Sequence, residues 1–316
     1  MNKVRLKTQL YHAFGFNIQS DIDLLELPLI IIEENEPQII IEISDLTSIW
    51  KELSDKNKSF VIKKEFIMFK IQAVGIFLVQ KGREILYSPL ADADDDLIRL
   101  YLLGTCMGAI LMQRRVLPLH GSAIAIDGKA YAIIGDSGAG KSTLASSLLN
   151  KGYQLISDDV IPVTLNEEKL PLITPAYPQQ KLWLESLNEF GMDANGYKQI
   201  FNRETKYAVP VKNQFVSQKL QLSGVFELVK SDTAEIILNP IHKLNSLQTL
   251  FKHTYRNFFI AQMGLMEWHF NITVAMAEKI NLYQLSRPAN RFTSHELAEE
   301  IINAIKEEEK FVWLTH

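Results

Sequence analysis

The chain has 316 residues, 47% of them hydrophobic and 22% charged, which excludes wholesale disorder and suits about two domains. Thirty-three basic against 37 acidic side chains leave a net charge of −4, a poor balance for work on bulk nucleic acid or an anionic membrane surface. A single cysteine, Cys106, excludes an intrachain disulfide and a thiolate zinc site, and points to a reducing, cytoplasmic setting.

The start, Met1 to Lys7, is basic but leads into no apolar export segment. Residues 1–90 read as a β-rich N-terminal domain. Strands are expected over Pro37–Ile43, Phe60–Ile62 and Glu65–Ile71, then a hairpin of Gly75–Val79 and Glu84–Tyr87 across Lys81-Gly82-Arg83. One short helix is expected around Leu46–Leu53. Residues 91–113 read as a connecting helix: the acidic run Ala91 to Asp96 caps an apolar-periodic stretch, a role that outweighs a metal cluster. The stretch Leu97 to Met112 carries Arg99 and is too short to span a bilayer.

Residues 114–316 read as a second, α/β domain. Pro118–Ile126 and Ala130–Ile134 suggest two buried strands around an Asp127-Gly128 turn. Further on come strands near Leu155, Val160 and Val225–Val229, a helix over Leu244–Phe258 and a terminal helix over Ser294–Glu307, with Lys306–Lys310 a solvated helical end.

The second of the two strands runs into Gly135-Asp136-Ser137-Gly138-Ala139-Gly140-Lys141-Ser142, which satisfies G-x-x-x-x-G-K-[ST] at every fixed position. Glycines let successive N–H groups curl around phosphate oxygens, and the helix opening at Thr143 adds its dipole. Lys141 would neutralise the β/γ phosphates of ATP, and Ser142 would offer its hydroxyl to Mg²⁺. Gly152 suits the C′ position of that helix. A short strand then ends in Asp158-Asp159, close to the loop in a strand–helix–strand unit. Carboxylates there can hold Mg²⁺, with Ser142 and Asp159 the expected ligands, or take a proton from an attacking hydroxyl. His120 sits where its strand pairs with the one feeding the loop, within reach of a transferred phosphate.

Leu119-His120-Gly121, the glycine loop and Gly152 to Asp159 together resemble the C-terminal domain of the HPr kinase/phosphorylase family. That resemblance implies an α/β (α+β) P-loop kinase fold of the HPr kinase and PEP-carboxykinase-like type, with a mixed central sheet. It also implies that His120, Lys141 and the aspartate pair are active-site residues, Ser142 a magnesium ligand, and one aspartate the base for an acceptor serine, Asp159 slightly favoured. Three departures stand out. Thr143 replaces the acidic residue after the loop serine, the family signature with its metal-binding glutamate is missing, and Lys206-Tyr207-Ala208-Val209 puts a lysine where the family has its catalytic arginine. A lysine lacks the bidentate fork, so kinase activity is better supported than its phosphate-dependent reversal. Over its whole length the chain resembles HPr-kinase-related proteins of peptide-biosynthesis clusters, through Ala13-Phe14-Gly15, Pro175 to Trp183 and Leu285 to Pro288. In lasso-peptide clusters such proteins phosphorylate the precursor peptide at its C-terminal serine.

The proline-bounded loop from Tyr177 to Trp183 would line an acceptor groove, with Tyr177 and Lys181 as substrate contacts. Arg203, Lys206, Arg256 and Arg287 are further charge stabilisers, Lys206 first. The leading expectation is a Mg-ATP-dependent serine kinase of a peptide or small protein, with no nucleic-acid or membrane partner and a homo-oligomer left open. The alternatives are a small-molecule hydroxyl kinase, of free serine or a sugar, and a non-catalytic nucleotide-sensing regulator.

Overall fold

The computed structural model describes residues 9–31, 36–55, 58–200 and 205–314. The basic start and Arg203 lie outside them. The first sheet holds β1 (Gln9–Ala13), β2 (Phe16–Ser20), β3 (Ile39–Ile43), β4 (Phe60–Ile62), β5 (Phe66–Ile71), β6 (Gly75–Gln80) and β7 (Glu84–Pro89), in the order β1-β2-β3-β7-β6-β5-β4. Helix α1 (Thr47–Leu53) lies between β3 and β4 in the chain. Apolar residues fill β6 because both of its faces are covered. Phe77 and Val79 enter the main core, whereas Ile76 and Leu78 pack with Leu46 and Trp50 at α1. The hairpin of β1 and β2 was not expected from the sequence; Phe14 and Gly15, both at positive φ, make its turn.

The connecting helix forms with an interruption. Helix α2 (Asp95–Tyr101) passes through a π turn over Leu102–Cys106 into α3 (Met107–Gln113). Asp94 is its cap and accepts from the Asp96 N–H at 2.8 Å. Ile98, Leu103 and Met107 share one apolar cluster with Phe77 of the first sheet and with Tyr177, Phe259 and Ile260 from the second half of the chain. Cys106 is fully buried here, and burial pushes its thiol well above the ordinary range, which makes it an inert packing residue. No helix of the described residues is long and apolar enough to cross a membrane.

Small residues on this helix make room for one ring. A methyl at Gly104 would stand 2.9 Å from the Tyr255 hydroxyl, and one at Gly108 would stand 2.8 Å from the ring itself. Gly108→Ala is therefore expected to cost about 1–3 kcal/mol by overpacking. Urea denaturation checks this, and an unchanged midpoint would show that the ring can yield.

The second half carries β8 (Leu117–Ile126), β9 (Lys129–Ile134), α4 (Lys141–Asn150), β10 (Gln154–Leu165), β11 (Pro171–Ile173), β12 (Gln179–Trp183), α5 (Leu184–Glu189), β13 (Lys198–Gln199), β14 (Lys206–Pro210), β15 (Leu220–Ser231), β16 (Ile237–Pro240), α6 (Lys243–Lys252), α7 (Phe258–Gln262), α8 (Met266–Lys279), β17 (Asn281–Pro288) and α9 (Ser294–Leu314). The central sheet runs β11-β10-β8-β9-β15-β17-β16 and is mixed: β9, β15 and β17 are parallel, the remaining neighbours antiparallel. It also curls, because β11 pairs with β15 as well as β10. Leu144 and Leu148 of α4 and Ile301 of α9 cover one face, and Leu250 of α6 and Met276 of α8 pack on the other. This is an α/β fold with a mixed central sheet.

Three expectations change. The strand after α4 does not stop at Asp158-Asp159 but runs on to Leu165, held by β8 along its length. The Tyr177–Trp183 segment is not a loop; from Gln179 it is β12, paired with β14 so that Lys181 faces Ala208 and Trp183 faces Lys206. The helix expected over 244–258 breaks after Lys252. There the His120 N–H donates to the His253 carbonyl and the Tyr255 N–H to the Pro118 carbonyl, so this stretch pairs antiparallel with the start of β8 instead. The terminal helix forms and is longer than expected, reaching Leu314.

Candidate active site

The glycine loop closes between β9 and α4. Gly135, Gly138 and Gly140 all have positive φ, and a methyl at Gly135 would stand 2.5 Å from the Leu228 carbonyl of β15, so only glycine lets the loop leave the sheet here. Lys141 Nζ donates to the Gly135 and Asp136 carbonyls at 2.9 and 3.0 Å. Burial lowers its pKa, Lys206 adds to this, and Asp158 and Asp159 oppose it.

Two antiparallel pairings bring the acids to this loop: β10 lies on β8, and β8 lies on β9. A regular strand would send neighbouring side chains to opposite faces. Asp159 takes φ +77°, and both acids line the cleft at the loop. A non-glycine residue in this region stores strain, which is common where side chains are positioned for chemistry.

The two carboxylates have opposite surroundings. Asp158 is buried and accepts only from neutral donors: the Ser122 hydroxyl at 2.6 Å, the Ser142 hydroxyl at 3.0 Å and the Lys181 N–H at 2.8 Å. Burial raises its pKa, and those bonds oppose the rise. Asp159 accepts from Lys181 Nζ at 2.7 Å, and its other oxygen lies 3.5 Å from His120 Nδ1. Burial disfavours its charge, but Lys181 and then His120 outweigh burial and hold it at about 2. The acid beside the loop serine is thus Asp158, whereas Asp159 already has a cation.

His120 Nδ1 lies 3.0 Å from the Asp159 carbonyl. A carbonyl only accepts, so Nδ1 carries the proton and Nε2 is left as an acceptor. Burial lowers the imidazole pKa and Lys141 contributes, against Asp159.

Asp159 makes a pH prediction. Its folded pKa lies below the unfolded value of 3.8, so its stabilisation is complete above about pH 4 and is lost as pH falls towards 2. The urea midpoint of the native chain is expected to drop more steeply over that window than that of Asp159→Asn. Parallel curves would contradict the pairing.

A cleft of about 560 Å³ joins these groups. It is lined by His120, the loop, Lys141 to Thr143, both aspartates, Lys181 and Lys206, and Arg256 also reaches it. Lys206 Nζ stacks over the Trp183 ring at 4.3 Å. Thr143 pairs with the Ser186 hydroxyl at 2.7 Å. Ala139 is buried under the loop, and Arg287 supports the loop from outside the cleft, donating to the Ala139 carbonyl at 2.8 Å. Tyr177 departs from its expected place. It is buried edge-on against Phe14 and lines no part of this cleft.

Other residues in the cleft wall, and Glu227 behind it, carry no motif in the sequence. Tyr255 packs 5.6 Å from the His120 ring. Glu227, on the strand beside β9, is buried against His253 Nε2 at 2.8 Å, and Lys252 links it to Asp136 of the loop, at 3.7 and 3.2 Å. The only sequence signal for them was a histidine beside a lysine in an apparent helix.

A sequence model described as "HPr Serine kinase C-terminal domain" matches residues 113–185, the span from the end of α3 to α5. This segment is HPr-kinase-like. Curated HPr kinase/phosphorylases agree. That of Burkholderia lata is 29% identical over 181 residues, covering 54% of this chain and 52% of that protein. The protein of Nitrosomonas europaea is 26% identical over 157 residues, 46% and 48% of the two chains. The protein of Mycoplasmopsis pulmonis is 39% identical over 64 residues, 20% and 21%. The chain thus spans about half, or less, of the length of these relatives. A solved HPr(Ser) kinase/phosphatase from Coxiella burnetii superposes with a TM-score of 0.32 and 17% identity, over 62% of this chain and 97% of that one. The HPr-kinase-like segment contains His120, the whole glycine loop and both aspartates, but not Lys206, Tyr255 or the Glu227–His253 pair.

Proposed function

We propose that this protein is a Mg-ATP-dependent kinase that transfers the γ-phosphate to a serine hydroxyl of a peptide or small protein. The finer reading is a lasso-type precursor peptide, modified at or near its C-terminal serine. The observation that carries the proposal is the meeting of a phosphate loop, two unlike carboxylates and a histidine around one cleft.

The residues suit a divalent cation. Asp158 is a buried carboxylate served only by neutral donors, and the Ser142 hydroxyl stands beside it. Among the described residues no three His, Cys, Asp or Glu side chains cluster to hold a metal unaided. Because its carboxylate touches the Ser142 hydroxyl, Asp158 is the second protein ligand in this reading, in place of the Asp159 expected from the sequence. Bound there, Mg²⁺ would offset phosphate charge.

The chain's own groups do the rest. Loop N–H groups and Lys141 hold the phosphates and neutralise charge on the transferring group. Asp159 orients the acceptor hydroxyl and takes its proton, and Lys181 and His120 keep it ionised. A carboxylate held this low is a weak base, so its contribution is placement, as suits a loose phosphoryl-transfer transition state. Lys206 adds positive charge from the β14 side. We read residues 1–90 as the part that presents the acceptor.

The test is to incubate the chain with ATP and Mg²⁺ and, separately, a peptide ending in serine, one with internal serine only, free serine and a sugar, and to weigh the products. The expected result is one phosphate gained by the peptide ending in serine. Transfer to free serine or sugar alone would make it a small-molecule kinase, and nucleotide binding without any transfer would make it a regulator.

A further inference from the structure

The two edges of the first sheet are finished differently. At β1 the chain covers its own edge: the Ile30 N–H donates to the Leu10 carbonyl and the His12 N–H to the Pro28 carbonyl, so residues 28–30 lie along the strand. At the far edge, β4 has β5 as its one neighbour among the described residues. Between these two strands the Lys63 N–H donates to the Phe66 carbonyl and the Lys70 N–H to the Ser59 carbonyl. Bonds of an antiparallel pair fall on alternate residues, so the backbone groups of Phe60 and Ile62 point away from β5. β4 carries no proline and its register is continuous, so neither device blunts the edge.

This open edge lies in a groove of about 510 Å³, walled by Leu53 of α1 and by Phe258 and Gln262 of α7. The two helices cover opposite faces of the sheet here. Val61 packs with Leu46 and Trp50 at α1, and Phe60 meets the Phe258 ring edge-on at 5.4 Å. Leu53 and Phe258 are each 40% exposed, which leaves an apolar side chain on either side of the free backbone groups. Phe258 also lines the cleft that holds His120, Asp158 and Asp159, so the groove opens into that cleft.

We propose that the β4 edge is the docking track for the acceptor peptide, which adds to the first sheet as an extended strand and runs on to Asp159. The inference rests on the kinase reading and names how the acceptor is held. Main-chain bonds to Phe60 and Ile62 supply affinity. Successive side chains of an extended peptide point to opposite faces, so they fall in turn on the Leu53 side and the Phe258 side. The track therefore selects a short run of consecutive apolar residues. Lys63 and Lys64, both exposed at the end of β4, favour an acidic residue beyond that run. Charge also argues against a second copy as the occupant. Antiparallel pairing of two β4 edges would set Phe60 opposite Ile62 and bring Lys58 of one copy towards Lys63 and Lys64 of the other.

Ile62→Pro tests the track, because proline deletes one outward N–H and is tolerated on an edge strand. Leu53→Ser, at an exposed position, is the second variant, and thermal melts show that each is folded. The probe is a fluorescein-labelled peptide of about ten residues, a Val-Ile-Val run flanked by glutamate and ending in serine, beside a control with Gly-Ser-Gly in place of the run. Anisotropy reads binding to the full chain, and mass reads phosphate transfer. The native chain is expected to bind the apolar peptide about tenfold more tightly than the control; Ile62→Pro should weaken it about tenfold and Leu53→Ser about threefold. Amide exchange in the native chain should slow at Phe60 and Ile62 when the peptide is added. Equal affinity of the native chain and both variants, or native transfer efficiency in Ile62→Pro, overturns the track and leaves the kinase standing. Protection of Phe60 and Ile62 that follows protein concentration without peptide overturns it in favour of a second copy. Peptide bound at β4 with no phosphate transferred to any acceptor overturns the kinase reading, and the acceptor role of the edge with it.

Discussion

Lys141→Met is expected to lower phosphate transfer by about 10³-fold, the scale set by removing one charge-stabilising donor from a water-excluded site. The reason lies in what the ammonium touches. It is held by two loop carbonyls and by no carboxylate within bonding distance, so its charge is not already spent. Methionine keeps the buried aliphatic stem and removes the charge together with its two bonds to the loop carbonyls. The melting temperature should therefore stay within a few degrees of the native value, since no ion pair is broken. Steady-state transfer and a thermal melt check this together. A variant that still transfers phosphate at more than a tenth of the native rate would take Lys141 out of the chemistry.

Lys181→Met is expected to act on stability as well. It strips Asp159 of its counter-ion, at a site where the side chains are 13% and 23% exposed. Breaking such a pair from one side costs about 3 kcal/mol, because the remaining charge stays desolvated. Two consequences identify the cause. The penalty should shrink as pH falls and the orphaned carboxylate protonates, and the double variant with Asp159→Asn should recover most of the loss. Urea denaturation of the four proteins at pH 7 and pH 4.5 measures both. A penalty that is independent of pH and additive with Asp159→Asn would assign Lys181 to packing alone.

Lys181 also shows where the sequence misleads. Between aromatic residues in a proline-bounded stretch it looked like a free cation for a substrate. In the fold it lies on β12 and is bonded to Asp159. The glycine loop was legible because its chemistry is local: every group it needs lies within one turn and the start of one helix. The aspartate pair was legible as a spacing, but not in its geometry. A left-handed residue in the middle of a long strand sets that geometry, and β-branched residues on either side gave the appearance of two short strands.

What was illegible depends on contacts across the chain. The apolar spacing after Leu244 continues past Lys252, yet the helix ends there because β8 offers His253 and Tyr255 backbone partners that a helix would forgo. That break carries His253 to Glu227 and Tyr255 to His120, and no local pattern announces either pairing. The hairpin at β1 and β2 was missed for a related reason: its turn uses Phe14 at positive φ, and no Asn-Gly or Asp-Gly pair marks it.

In the proposed kinase Asp159 is the residue that receives the acceptor. Its most direct test is single-turnover phosphate transfer by Asp159→Asn to the best acceptor of the native protein, with ATP affinity measured in parallel. The expected result is a rate at least 10²-fold below native, the lower bound for losing a positioned general base, with nucleotide affinity changed by less than about threefold. A native transfer rate in that variant, with its fold and ATP binding intact, would contradict the account.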